Sequence, residues 1–159
     1  MRRRAIIRTG AAVAAGALAL VSLSAVSAAP ARTAVPVTIT GRTHLAVVVS
    51  PLVLQDVGTV TGSPVGSGNI TLRYRLLPER GTAITTFIIV NARGTVRGKA
   101  VSQYTAGNVS ITFTGTARLS GGTGRYAGIS SGHLEFNALH SITGKKEAIS
   151  FVGRGTKPG

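Results

Sequence analysis

The sequence predicts an all-β protein: a closed antiparallel eight-stranded barrel with no substantial helix once an export leader is set aside. Three observations carry that reading. From Val35 onward, apolar and polar residues alternate with a period of two in one segment after another, as in Ile70, Leu72, Tyr74 and Leu76 against Thr71, Arg73 and Arg75. Glycine-rich turns punctuate those segments, and no window after the leader keeps a helical period. About eight short strands in simple succession form a meander, and closing it into a barrel removes its exposed edges. A two-sheet sandwich is the alternative arrangement of the same strands.

The first 28 residues read as a leader. Arg2, Arg3, Arg4 and Arg8 make a basic head, Ala11 to Leu23 is an apolar run, and Val26-Ser27-Ala28 offers the small residues a signal peptidase recognises. Cleavage is expected after Ala28, with Ala31 as the second choice. The run is too short and too rich in alanine to span a bilayer comfortably. Arg3-Arg4-Ala5-Ile6-Ile7 is similar to a twin-arginine signal, although Arg2 stands where Ser or Thr is usual, so the general secretory route leads. The expected organisation is a leader over 1–28, a short tether over 29–34 and a single barrel domain over 35–159. The destination is extracellular or the cell envelope. The chain has no cysteine, so packing and hydrogen bonds alone must close the barrel.

Taken in order, Val35, Val37 and Ile39 alternate with Pro36, Thr38 and Thr40 as a first strand, which Gly41-Arg42 is expected to turn. His44 to Ser50 is apolar on both faces and stops at Pro51. Gln55 to Gly68, rich in Gly, Ser, Thr and Pro, reads as a short strand and a long loop. The strand at Ile70–Leu76 follows, then a turn, then the continuous apolar run Ala83–Val90 and a hairpin at Asn91–Gly94. Gly94, Val96, Gly98 and Ala100 face one way, with Arg97 and Lys99 opposite. Val109 to Leu119 is the most regular alternation in the chain. His133, Glu135 and Asn137 oppose Leu134, Phe136 and Ala138, and Glu147–Arg154 is the last strand before a short tail from Thr156.

Between the last of these strands lies Gly121-Gly122-Thr123-Gly124-Arg125-Tyr126-Ala127-Gly128. Gly121, Gly122, Gly124 and Gly128 admit positive φ angles, which a tight reversal between long strands requires. Tyr126, the single large side chain in the loop, is expected to fold back as a plug on the barrel end, with Arg125 solvated.

Candidate chemistry is sparse. His44, His133 and His140 lack metal-ligand spacing, no serine sits in a nucleophile elbow, and four widely spread acids leave no paired carboxylates. No metal and no cofactor is expected. The glycine loop lacks the Lys-Ser/Thr and the following helix of a phosphate loop. His133, Glu135 and Asn137 share the polar face of one strand and form the candidate ligand patch if that face points inward. With the four leader arginines set aside, 14 basic residues face four acids, a net charge of +10. Such a surface attracts anionic cell-surface polymers, and without interleaved aromatics it is not a specific nucleic-acid reader. Arg73, Arg75, Arg97, Lys99 and Arg118 share polar strand faces and are candidates for a basic outer stripe.

The stretch Gly121–Gly128, together with Thr61-Gly62-Ser63-Pro64-Val65-Gly66-Ser67-Gly68, resembles the glycine-rich stretches of allene oxide cyclase and dirigent-like barrels, most of all their small secreted bacterial relatives. The resemblance implies an eight-stranded barrel with an apolar central cavity, a dimer or trimer, and chemistry without cofactors: cyclisation of an epoxide or steering of phenoxy-radical coupling. The chain departs from it in having no cysteine, in carrying Ser131 where a glycine is common, and in offering no match for the catalytic acids among Asp56, Glu79, Glu135 and Glu147. The fold therefore transfers further than the activity. The leading expectation is a secreted barrel that binds a small apolar ligand or serves the envelope structurally, without catalysis. The alternative is a cofactor-free isomerase or coupling guide.

Overall fold

A computed structural model describes residues 31–158, and the leader lies outside them. The chain forms eight antiparallel strands in sequence order: β1 (Arg32–Ser50), β2 (Val53–Ser63), β3 (Gly66–Leu77), β4 (Thr82–Asn91), β5 (Gly94–Ala106), β6 (Ser110–Gly122), β7 (Ser130–Ser141) and β8 (Glu147–Pro158). β8 pairs with β1 and closes the barrel. Among the described residues the remaining regular structure is two single 3-10 turns, Pro78–Arg80 and Gly124–Tyr126. Each strand buries alternate residues, as in Ile70, Leu72, Tyr74 and Leu76 on β3 and Leu134, Phe136, Ala138 and His140 on β7.

Three expectations about elements need correction. Residues 32–34, read as a tether, are strand and pair with Pro158, Lys157 and Thr156, so the expected C-terminal tail is strand as well. Gly41-Arg42 does not turn the chain: β1 runs straight through, with irregular register only beyond Leu45. A Cβ on Gly41 would strike the Thr59 carbonyl, and one on Gly58 the Arg42 carbonyl. These glycines mark a close approach of β1 and β2, not a reversal. Gln55–Gly68 is likewise no long loop, because β2 continues to Ser63 and β3 begins at Gly66.

The barrel has two unlike ends. Arg32 and Pro158 sit at the proximal end with the β2–β3, β4–β5 and β6–β7 connections. The β1–β2, β3–β4, β5–β6 and β7–β8 connections form the distal end. The middle is filled by aromatic rings. Phe87 and Phe151 have ring centroids 4.5 Å apart, and Phe136 lies 5.3 Å from Phe151. Gly98 makes room for this packing, since a Cβ there would meet the Phe87 ring.

The β6–β7 connection seals the proximal end. Tyr126 is 4 % exposed, and its hydroxyl donates to the Val65 carbonyl at 2.9 Å. Asn91 Nδ2 donates to that hydroxyl at 3.0 Å and to the same carbonyl at 2.7 Å. The turn begins at Gly124, whose φ of +59 is the left-handed value; Gly121 and Gly128 are also positive, whereas Gly122 is not. Arg125 is exposed.

Candidate functional site

The distal half of the barrel interior is chemically different from the rest. Alternation on β2 puts Asp56 on the inner face with Leu54 and Val60, and alternation on β7 does the same for His140. These strands are separated by β8 and β1, yet the side chains meet across the interior. His140 Nδ1 lies 2.9 and 3.0 Å from the two Asp56 carboxylate oxygens. The pair is 0 % and 1 % exposed and is the one ion pair among the described residues. The carboxylate engages Nδ1, so Nε2 is the ring nitrogen left without a partner.

Tyr74 stands beside this pair. Its ring stacks on Phe113 at 4.5 Å and meets His140 edge-on at 6.0 Å. Burial pushes the phenol well above its ordinary pKa of 10.0, and the nearby Asp56 carboxylate pushes in the same direction, so Tyr74 is held neutral as a proton donor. Its register partner on β4 is Thr85, and Ser102 on β5 and Thr43 on β1 are buried in the same half. Tyr74 Oη, His140 Nε2, Thr43 Oγ1, Thr85 Oγ1 and Ser102 Oγ are all buried without a hydrogen-bond partner. Each such atom costs about 1–3 kcal/mol, and this concentration in one half of a small barrel is unusual. Leu54 and Leu76 cover the cluster toward the distal mouth, with Tyr104 and Ile111 half-buried there.

Chemically this is an imidazole anchored through Nδ1 by a carboxylate, with Nε2 buried and unpartnered and a neutral phenol close by. Such a set can bind one polar group of an otherwise apolar molecule, or take and return a proton. Among the described residues no three His, Asp or Glu side chains are grouped to hold a metal ion.

The candidate patch His133, Glu135 and Asn137 faces outward. His133 and Glu135 are exposed, and Asn137 Nδ2 donates to Glu135 Oε1 at 2.9 Å along the strand. The patch does not share a pocket. Asn137 borders an open groove of about 1140 Å³ with Thr40, Arg42, Thr59 and Ser150, while His133 borders a pocket of about 300 Å³ with Lys99 and Arg118. The larger groove is lined by residues of β1, β2, β3, β6, β7 and β8; it reaches Phe113, which stacks on Tyr74, and His44, whose buried Nδ1 also lacks a partner, but none of Asp56, Tyr74 and His140. We place the candidate chemistry inside, because five of the six buried, unpartnered side-chain atoms among the described residues belong to inward-facing residues there. Gly121, Gly122, Gly124, Tyr126 and Gly128 belong to the proximal closure.

The sequence reading missed Asp56, Tyr74 and His140 as a site. A signal was there: continuing the Leu134, Phe136, Ala138 alternation by one step puts His140 on the apolar face. The pairing with Asp56, 84 positions away, has no local signature.

No family model matches the chain, and no curated protein matches it. Among solved structures, pyocyanin demethylase is similar, with 15 % identity and a TM-score of 0.35 over 74 % of this chain and 98 % of that one. A likeness at that level carries no argument about this chain.

Proposed function

We propose that this chain is an exported, non-enzymatic barrel that binds a small, mainly apolar molecule in the distal half of its interior. The observation that carries this reading is the set of five buried, unpartnered polar atoms around the Asp56–His140 pair. A ligand with one or two polar atoms satisfies Tyr74 Oη and His140 Nε2, while Phe113, Leu54 and Leu76 receive its apolar body. Leu54, Leu76, Tyr104 and Ile111 then form the gate it passes.

The test is uptake of an uncharged fluorescent probe, N-phenyl-1-naphthylamine, which the basic surface does not attract. Saturable one-to-one binding is expected, weakened about tenfold by Ser102→Leu, which replaces an unpartnered hydroxyl of the distal half by a larger apolar side chain. A probe signal that never saturates, or that Ser102→Leu leaves alone, removes the reading.

A second reading rests on the anchored imidazole itself. An Nε2 left free by a carboxylate on Nδ1, beside a neutral phenol, is the arrangement of a general base and an oxyanion donor, suited to cofactor-free isomerisation. Turnover of an epoxide or enolisable ketone that disappears in His140→Gln, while probe binding survives, favours catalysis over binding alone.

A further inference from the structure

The outer surface carries an arrangement that the interior reading does not explain. Cross-strand register lines up one row of residues perpendicular to the strands. Arg73 on β3 pairs with Thr86 on β4, Thr86 with Lys99 on β5, and Lys99 with Arg118 on β6. Ala117 pairs with Leu134, which brings Arg118 beside His133 on β7, and His133 pairs with Arg154 on β8. Every member of the row is exposed. The row crosses six of the eight strands at a spacing of about 4.8 Å per strand and so winds round the barrel. Arg75 and Arg97 widen it, each two residues from a member and on the same outer face.

Like charges directly opposed on neighbouring strands destabilise a sheet, and Lys99 opposite Arg118 is such a pair. No carboxylate forms an ion pair with any of these cations among the described residues. The nearest acid on the same faces, Glu135, pairs in register with Thr116 and accepts from Asn137 instead. The surface between Lys99, Arg118 and His133 is also hollowed into the pocket of about 300 Å³, bordered by Val101, Thr116 and Gly132. That is room for one tetrahedral oxyanion.

We infer that this row binds a base-free linear polymer of phosphate or sulfate groups, with one anionic group seated between Lys99, Arg118 and His133 and its neighbours on Arg73 and Arg154. Geometry and composition select this partner. A flat membrane touches only the uppermost strands of a convex cylinder, whereas a flexible chain follows the row across all six. Nucleic acid is disfavoured because the row offers no aromatic side chain for bases: every Phe is buried, as are Tyr74 and Tyr126, and Tyr104 is half-buried at the distal mouth. Phosphate and sulfate groups share the recognised chemistry.

The test compares two charge-matched triple variants of the full chain, whose folding is checked by circular dichroism. One is Lys99→Gln with Arg118→Gln and Arg154→Gln. The other is Arg80→Gln with Lys145→Gln and Lys146→Gln, all at the distal end. Binding of inorganic polyphosphate, heparin and poly-dT is measured by fluorescence anisotropy across a salt series. The row variant is expected to lose about tenfold or more in affinity and to flatten the slope of log K against log salt by about two. The distal variant is expected to lose less than about threefold. A larger loss in the row variant supports the row as the site, and the tighter of polyphosphate and heparin identifies whether it takes phosphate or sulfate groups. Equal losses in the two variants reduce the effect to net charge and overturn the proposal. So does poly-dT binding as tightly as the base-free polymers.

Discussion

The two ends of the barrel close by opposite means. At the proximal end one aromatic residue does the sealing, and its polar atom is fully used: the Tyr126 hydroxyl donates to Val65 and accepts from Asn91. At the distal end Tyr74 is as deeply buried, yet its hydroxyl has no partner, and five further polar atoms share that condition, four of them on inward-facing residues. The surfaces differ in the same sense. Val47, Val48, Val49 and Leu52 at the β1–β2 tip, and Val109 and Ile142 on neighbouring distal loops, are each 45 % exposed or more. A satisfied end contributes stability and little else. An end that leaves desolvated polar groups unpaired gives up stability, and such exceptions concentrate where proteins bind or react.

Substitutions sharpen that contrast, and the largest effect is expected at the distal pair. Asp56→Ala should lower unfolding free energy by about 3–5 kcal/mol in urea melts, because it strands a buried imidazole. Replacing both partners, Asp56→Leu with His140→Met, should restore at least half of that loss. If the double variant is as unstable as the single one, the pair is needed for the barrel itself and the ends are not so different.

At the proximal end, Tyr126→Ala should cost about 3 kcal/mol through lost packing, and Tyr126→Phe about 1 kcal/mol through its hydrogen bonds. The equivalent distal change, Tyr74→Phe, should leave stability near neutral pH unchanged or slightly raised. A loss above about 1 kcal/mol there would mean that the Tyr74 hydroxyl has a partner after all.

Tyr74 also makes a pH prediction. Its folded pKa is raised, so the neutral phenol is favoured in the fold; below the unfolded value of 10.0 both states keep the proton and the contribution is constant. As pH climbs past 10.0 the unfolded chain ionises first, and stability should fall by about 1.4 kcal/mol per pH unit from this group. Tyr74→Phe should remove that increment. Parallel alkaline melts of the two proteins check it, and identical slopes would refute the buried phenol.

The smallest effects complete the series. Thr85→Val should stabilise by up to about 1 kcal/mol by deleting an unpartnered hydroxyl. Arg125→Ala, on the exposed face of the proximal turn, should move the midpoint by less than about 0.5 kcal/mol in free energy.

Strand number, antiparallel meander and closure were legible in the sequence because a period of two and glycine punctuation are local signals. So were the reversal at Gly121–Gly128 and the outward set Arg73, Lys99 and Arg118, which share polar faces. What misled the reading was also local. Gly41, Gly58 and Gly62 look like turn residues, and only the backbone of the neighbouring strand reveals Gly41 and Gly58 as points of close approach. His133, Glu135 and Asn137 drew attention because they are adjacent on one face, but that face turns to solvent.

The amino-acid sequence by itself determined which side of each strand is apolar, and therefore that a barrel forms and what its outer charge is. Tertiary structure alone decided which residues from distant strands share a layer. Asp56 meets His140, and Lys99 lies opposite Arg118, because closure and register bring separate strands together; no periodicity within one segment encodes that meeting.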